Sequence, residues 1–148
     1  MKPNLTIRIA QSEDCLSVFP LAKEMATSFE VERECFEKSF HEILGDPSAI
    51  CLVAEQNEEI IGYLIGFDHR AFYANGRVSW VEEVFVKETD RKRGTGKSLM
   101  ERFEKWCIER KSKLIGLATR RASSFYEAID YEESATFYRK IITHDKMV

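Results

Sequence analysis

The chain has 148 residues, 44% of them hydrophobic and 32% charged, with a formal net charge of −3. This reads as one soluble globular domain, 1–148, with enough apolar content for a real core. The acidic balance argues against a general nucleic-acid binder, and no apolar run approaches the length of a membrane span.

The N-terminus, MKPNLTIRIAQSEDC, has neither a long apolar region nor a small-residue cleavage site, so no secretory signal is expected. Cys15, Cys35, Cys51 and Cys107 lack paired spacing and read as small hydrophobes in a reducing, cytoplasmic compartment. No close ligand pair suggests zinc, and His41, His69 and His144 are isolated, so no metal is expected.

Thr6 to Ile9 alternates polar and apolar and predicts a short strand. Ser12 is the expected N-cap of a helix, with Glu13 and Asp14 in its first turn. Leu16, Phe19, Ala22 and Met25 share one helical face, and Pro20 predicts a kink or two abutting helices. A second helix is expected from Val31 to Leu44, with Phe36, Phe40, Ile43 and Leu44 as its stripe and Gly45-Asp-Pro47 as its stop. Glu30, Glu32, Glu34 and Glu37 form an acidic stretch. It reads as a solvated face, or as a carboxylate wall that attracts a cationic amine such as a polyamine or aminosugar.

Ile50 to Glu55 and Glu59 to Phe67 predict a hairpin about the turn Gln56-Asn-Glu58. Gly62 and Gly66 suggest bulges or a close backbone approach. Asp68 to Gly76 is expected as a loop, and its His69, Arg70, Phe72 and Tyr73 are candidates for contact with an acceptor. Val78 to Val86 predicts a fourth strand carrying two adjacent acids, Glu82 and Glu83. Alternation sends them to opposite faces unless a bulge intervenes.

Then comes Arg91-Lys-Arg-Gly-Thr-Gly96, followed by a helix with Leu99, Met100, Phe103, Trp106 and Cys107 on one face. Gly94 and Gly96 remove side chains where a ligand must come close to the backbone. Free N–H groups at the helix start, with Arg91, Lys92, Arg93 and Lys97 around them, suit a phosphate or pyrophosphate. A Walker loop, G-x-x-x-x-G-K, would need glycine at position 91, and arginine stands there. Leu114 to Thr119 predicts a fifth strand, Ser123 to Ile129 a short helix, and Glu132 to Thr143 a last extended segment. The alternation of strands and helices argues for a mixed α/β sheet.

The strand, the R-x-x-G-x-G run at Arg91–Gly96 and the amphipathic helix together resemble the pyrophosphate loop of the GNAT superfamily of acyl-CoA-dependent N-acetyltransferases. A second segment, Ala122 to Tyr131 with Phe125-Tyr126-Glu127, resembles the family helix that lies beside the cofactor thiol. Where the family usually has glycine, this chain has Asp130, a residue that tolerates a left-handed turn.

The resemblance implies a mostly antiparallel mixed sheet with splayed central strands and helices on both faces. It implies acetyl-CoA as cosubstrate, held by Arg91, Lys92, Arg93, Gly94, Thr95, Gly96 and Lys97, and no metal. It further implies that the backbone of Val84, Phe85 and Val86 meets the thioester and pantetheine, and that Tyr126 supplies the proton to the departing thiolate. Glu82 is the expected handler of the amine proton. The expected reaction is direct transfer of acetyl to a primary amine in a ternary complex. Neither motif contains a nucleophilic cysteine. A small-molecule acceptor is favoured. A protein acceptor or a non-catalytic acyl-CoA-binding domain stays open, as does a homodimer.

Overall fold

The computed structural model describes residues 4–142. Its first compact unit runs to Leu117. Four strands meander antiparallel through this unit: β1 (Leu5–Ile9), β2 (Ala49–Gln56), β3 (Glu59–Ala71) and β4 (Gly76–Val86). The fifth, β5 (Ile115–Gly116), joins β4 in parallel, so the order is β1-β2-β3-β4-β5. Asn57 and Glu58, both at positive φ (52° and 65°), close the β2–β3 hairpin with the backbone twist that such tight turns require.

Strand alternation divides the core into two layers. Cys51, Val53 and Tyr63 face α1 (Cys15–Met25) and α2 (Arg33–Leu44), where Val18, Leu21, Ala22 and Phe40 are buried. The opposite face carries Leu52 and Leu64 and meets α3 (Thr95–Glu109), whose Leu99, Met100 and Phe103 are fully buried. Gly66 lies under α3, and a Cβ there would come within 2.1 Å of the Phe103 ring. The mixed sheet with helices on both faces is therefore present.

The boundaries differ from the sequence reading at several points. Gln11, not Ser12, caps the first helical turn, because its N–H donates to Asp14 Oδ2 at 2.7 Å. Helix α1 runs through Pro20 to Met25, and burial of Val18 before it and Leu21 and Ala22 after it holds the two halves together. Asp68, His69 and Arg70 are strand residues paired with Ser79, Val78 and Arg77. They belong to the sheet because the Asp68 carboxylate is wholly buried and accepts bonds from Arg77 (3.1 Å) and from Arg110, the C-cap of α3. Only 72–75 remain as a connection.

β5 is two residues long because its pairing with β4 stops at Ser79↔Ile115 and Trp80↔Gly116. Beyond Trp80 the two strands part, and that edge of β4 carries no ladder among the described residues.

The second compact unit begins at Ala118. Its helix α4 (Ser123–Ala128) starts where the Ala122 N–H donates to Thr119 Oγ1 at 3.0 Å. It ends with Tyr131 N–H bonded to the Tyr126 carbonyl (2.9 Å) and Asp130 N–H to that of Glu127 (3.2 Å). This is a Schellman stop, and Asp130 takes its left-handed position at φ 77°. Residues 131–142 form no strand or helix, and Thr143 and His144 lie outside the described residues.

Candidate active site

β4 changes allegiance midway. Ile65 pairs with Glu83 and Gly66 with Val81, so Glu82 is an extra residue in a β-bulge. Without the bulge, Val81 and Glu83 would share a face. With it, Val81 is buried beside Gly66 on the α3 side, while Glu83 and Phe85 join Ile65 and Tyr63 on the α1–α2 side. Glu82 is exposed.

Glu83 enters a cavity of about 290 Å³ between the sheet and the first two helices. Val18, Ala22 and Met25 of α1 and Phe36, Phe40 and Ile43 of α2 form its walls. Cys51, Tyr63 and Ile65 form its floor. Tyr63 Oη donates to Glu83 Oε1 at 2.6 Å, which fixes the carboxylate. Burial, and then the Glu83 charge, push the Tyr63 phenol well above its ordinary range, so it remains a donor. Burial pushes the Cys51 thiol up to about 12.

Of the acidic stretch, Glu30 and Glu32 line the cavity. Glu37 instead pairs with Arg33 at 2.9 Å along α2. His69, Arg70, Phe72 and Tyr73 are not among the lining residues.

The basic loop leaves β4 through a short 3-10 turn at Glu88–Asp90. Arg91 turns back on the strand: its Nε donates to the Val86 carbonyl at 2.7 Å and its guanidinium lies 5.1 Å from the centre of the Phe85 ring. Lys92 (φ 64°) and Gly94 (φ 86°) turn the chain into α3. No side chain caps that helix start, which leaves its first N–H groups outward. A Cβ on Gly94 would meet nothing within 4 Å, so the approach to the helix tip is open. Thr95 is buried, and its Oγ1 has no hydrogen-bond partner. Arg93 lies 3.8 Å from Asp90, while Lys92 and Lys97 are exposed. Val84, Phe85 and Val86 pair on one side with Leu64, Tyr63 and Gly62. Their other side is the edge that β5 leaves.

Within the second unit, Tyr126 is buried, with Phe125 at 4.9 Å and Tyr131 at 6.0 Å between ring centres. Burial raises its phenol above the ordinary value. The sequence reading did not single out Tyr63, and of the two strand acids it favoured Glu82, whereas Glu83 is the one that lines the cavity. Gly62 and Gly66, the bulge signals noted there, were the available clue.

Comparison with known proteins matches residues 16–131 to the model described as "Acetyltransferase (GNAT) family". The chain therefore belongs to the GNAT acetyltransferase family. The uncharacterized N-acetyltransferase YhfO of Bacillus subtilis (strain 168) is 24% identical, with 90% of this chain and 93% of that protein covered. Glucosamine-6-phosphate N-acetyltransferase from Arabidopsis thaliana shares the fold at a TM-score of 0.83 and 21% identity, covering 94% of this chain and 99% of that one. Ribosomal-protein-alanine N-acetyltransferase from Brucella melitensis biovar Abortus 2308 does so at 0.74 and 19%, covering 93% and 99%.

Proposed function

We propose that residues 1–148 act as one acetyltransferase domain that moves acetyl from acetyl-CoA to a primary amine of a small molecule, by direct attack in a ternary complex. The observation that carries this reading is a carboxylate, Glu83, held by Tyr63 in a cavity whose walls are mostly apolar. Glu83 stands next to Val84–Val86, whose far edge has no strand partner in the ladder with β5.

An alkylammonium with a pKa near 10 must lose a proton before it can attack. Glu83 is the better placed of the two strand acids to take that proton, directly or through a water, since Glu82 is exposed on the bulge. As the C–N bond forms and the C–S bond breaks, a backbone N–H of Val84–Val86 serves the oxyanion. The same edge can pair with pantetheine amides as an added strand would.

The open, uncapped start of α3 suits the diphosphate. Gly94, Thr95 and Gly96 line that tip, and Arg91, Lys92, Arg93 and Lys97 supply charge. Tyr126 is assigned the proton to the thiolate on the family resemblance. Its raised pKa keeps the phenol protonated, as an acid must be.

Direct attack is favoured over an acetyl-cysteine route. The Cys51 thiol is pushed up to about 12, and the bond from Cys35 Sγ to Glu32 raises the other thiol on the cavity. Neither offers a ready thiolate. The proposed setting is the cytoplasm, on the scattered spacing of the four cysteines.

Release of free CoA thiol from acetyl-CoA, dependent on an added amine, tests the activity. Glu83→Gln should lower kcat/KM by roughly 100-fold or more, the usual scale for losing a general base. Glu82→Gln should stay within a few-fold. Equal effects of the two would remove Glu83 from the mechanism.

A further inference from the structure

The cavity's chemistry says which kind of amine it takes. Resting on the reading of this cavity as the acceptor site, we propose that the acceptor is a primary monoamine on an apolar body, an alkyl or arylalkyl chain, rather than a polyamine, an aminosugar or a phosphorylated amine. The walls are built from aliphatic and aromatic side chains of α1, α2 and β3. At about 290 Å³, the space lies just under the roughly 300–1,000 Å³ of most small-molecule sites. It fits a compact ligand with one ring or a short chain.

Three carboxylates line it, Glu30, Glu32 and Glu83, and no lysine, arginine or histidine does. Glu83, part-buried and tied to Tyr63, is the one suited to receive an ammonium inside. Glu30 and Glu32 are exposed, on the segment between the helices, and draw the cation towards the opening. A phosphate would meet three negative charges with no counter-charge among the lining residues. Sugar hydroxyls would press on Val18, Ala22, Phe36 and Ile65, and each buried without a partner weakens binding severalfold or more. The second ammonium of a polyamine gains nothing from those walls, which leaves it at the mouth.

The apolar contribution is graded and can be read directly. Each methylene removed from water strengthens binding roughly fourfold. The experiment compares n-alkylamines from ethylamine to hexylamine, and phenethylamine, with spermidine, glucosamine, glucosamine 6-phosphate and a lysine peptide. Two readouts are taken on the full chain: calorimetric binding of each amine alone, and CoA thiol release with acetyl-CoA present.

The expected result is a rise of roughly fourfold per methylene that stops when the cavity is full, with phenethylamine at least about tenfold ahead of glucosamine and spermidine. Ala22→Leu, which fills part of the cavity, should shorten the best chain. The wild-type series needs no variant to fold. A flat series, or preference for spermidine, for either sugar or for the peptide, overturns the proposal. A graded binding series without thiol release upholds the apolar pocket and instead overturns acetyl transfer.

Discussion

Tyr63 and Tyr126 are both buried phenols with raised pKa values, and they differ in what surrounds them. Tyr63 spends its hydroxyl proton on Glu83, so its work is to aim a carboxylate. Tyr126 has aromatic neighbours, Phe125 and Tyr131, and the role assigned to it is proton delivery. Tyr126→Phe should cut kcat by roughly 100-fold with little change in acetyl-CoA affinity, measured by steady-state kinetics beside calorimetry. Unaltered turnover would remove the tyrosine from the reaction. At this scale the sequence was readable where the residues are contiguous. Arg91–Gly96 and Ala122–Tyr131 announce themselves as runs, and even the turn at Asp130 followed from its tolerance of positive φ. Tyr63 and Glu83 stand twenty positions apart, and their meeting depends on a register that no local pattern spells out.

Among elements, β3 and α3 depend on each other through a missing side chain. Phe103 occupies the space that a Cβ on Gly66 would need. Because Phe103 is wholly buried and stacked at 5.6 Å on Trp106, it has little room to retreat. Gly66→Ala should therefore destabilise the fold by about 2 kcal/mol, the middle of the usual overpacking range. Chemical denaturation would register this as a lower midpoint at unchanged slope. Hydrophobic periodicity located α2 and α3 well, because each shows a stripe on one face. It failed around Asp68 to Arg70, where charged residues looked like loop. The double arginine clasp on Asp68, one arm from β4 and one from the C-cap of α3, is non-local and has no signature in the run itself.

For the molecule as a whole, a second buried acid ties the start of the chain to the sheet. Arg8 bridges Asp14 (2.8 Å) and Glu55 (3.0 Å), and the Arg8 bond is the main reason that the Asp14 carboxyl lies below its ordinary range. A depressed folded pKa contributes stability above the unfolded value, near 4, and loses it as pH falls through the folded value. Thermal unfolding followed from pH 6 down to pH 2 should thus show an acid-labile component that Asp14→Asn removes. That variant should already be weaker at pH 6 by about 2 kcal/mol, the scale of a charged hydrogen bond. A variant with the parent's acid sensitivity would show that the pair is not responsible. The sheet-and-helix architecture was legible from alternation. The short reach of β5 was not, since Leu114–Thr119 has strand composition throughout but finds partners at only two positions.

The bulge at Glu82 has an outcome for how this enzyme could diversify. It lets a single strand serve two masters: Val81 packs beside Gly66 on the α3 side, while Glu83 lines the chamber across the sheet and Phe85 packs on that same face. Substitutions in the later half can retune what the chamber accepts without unseating the earlier half. Pairing Val81, Glu82 and Glu83 in turn, with no residue looped out, would do the reverse, setting Glu83 on the face of Val81 and out of the chamber.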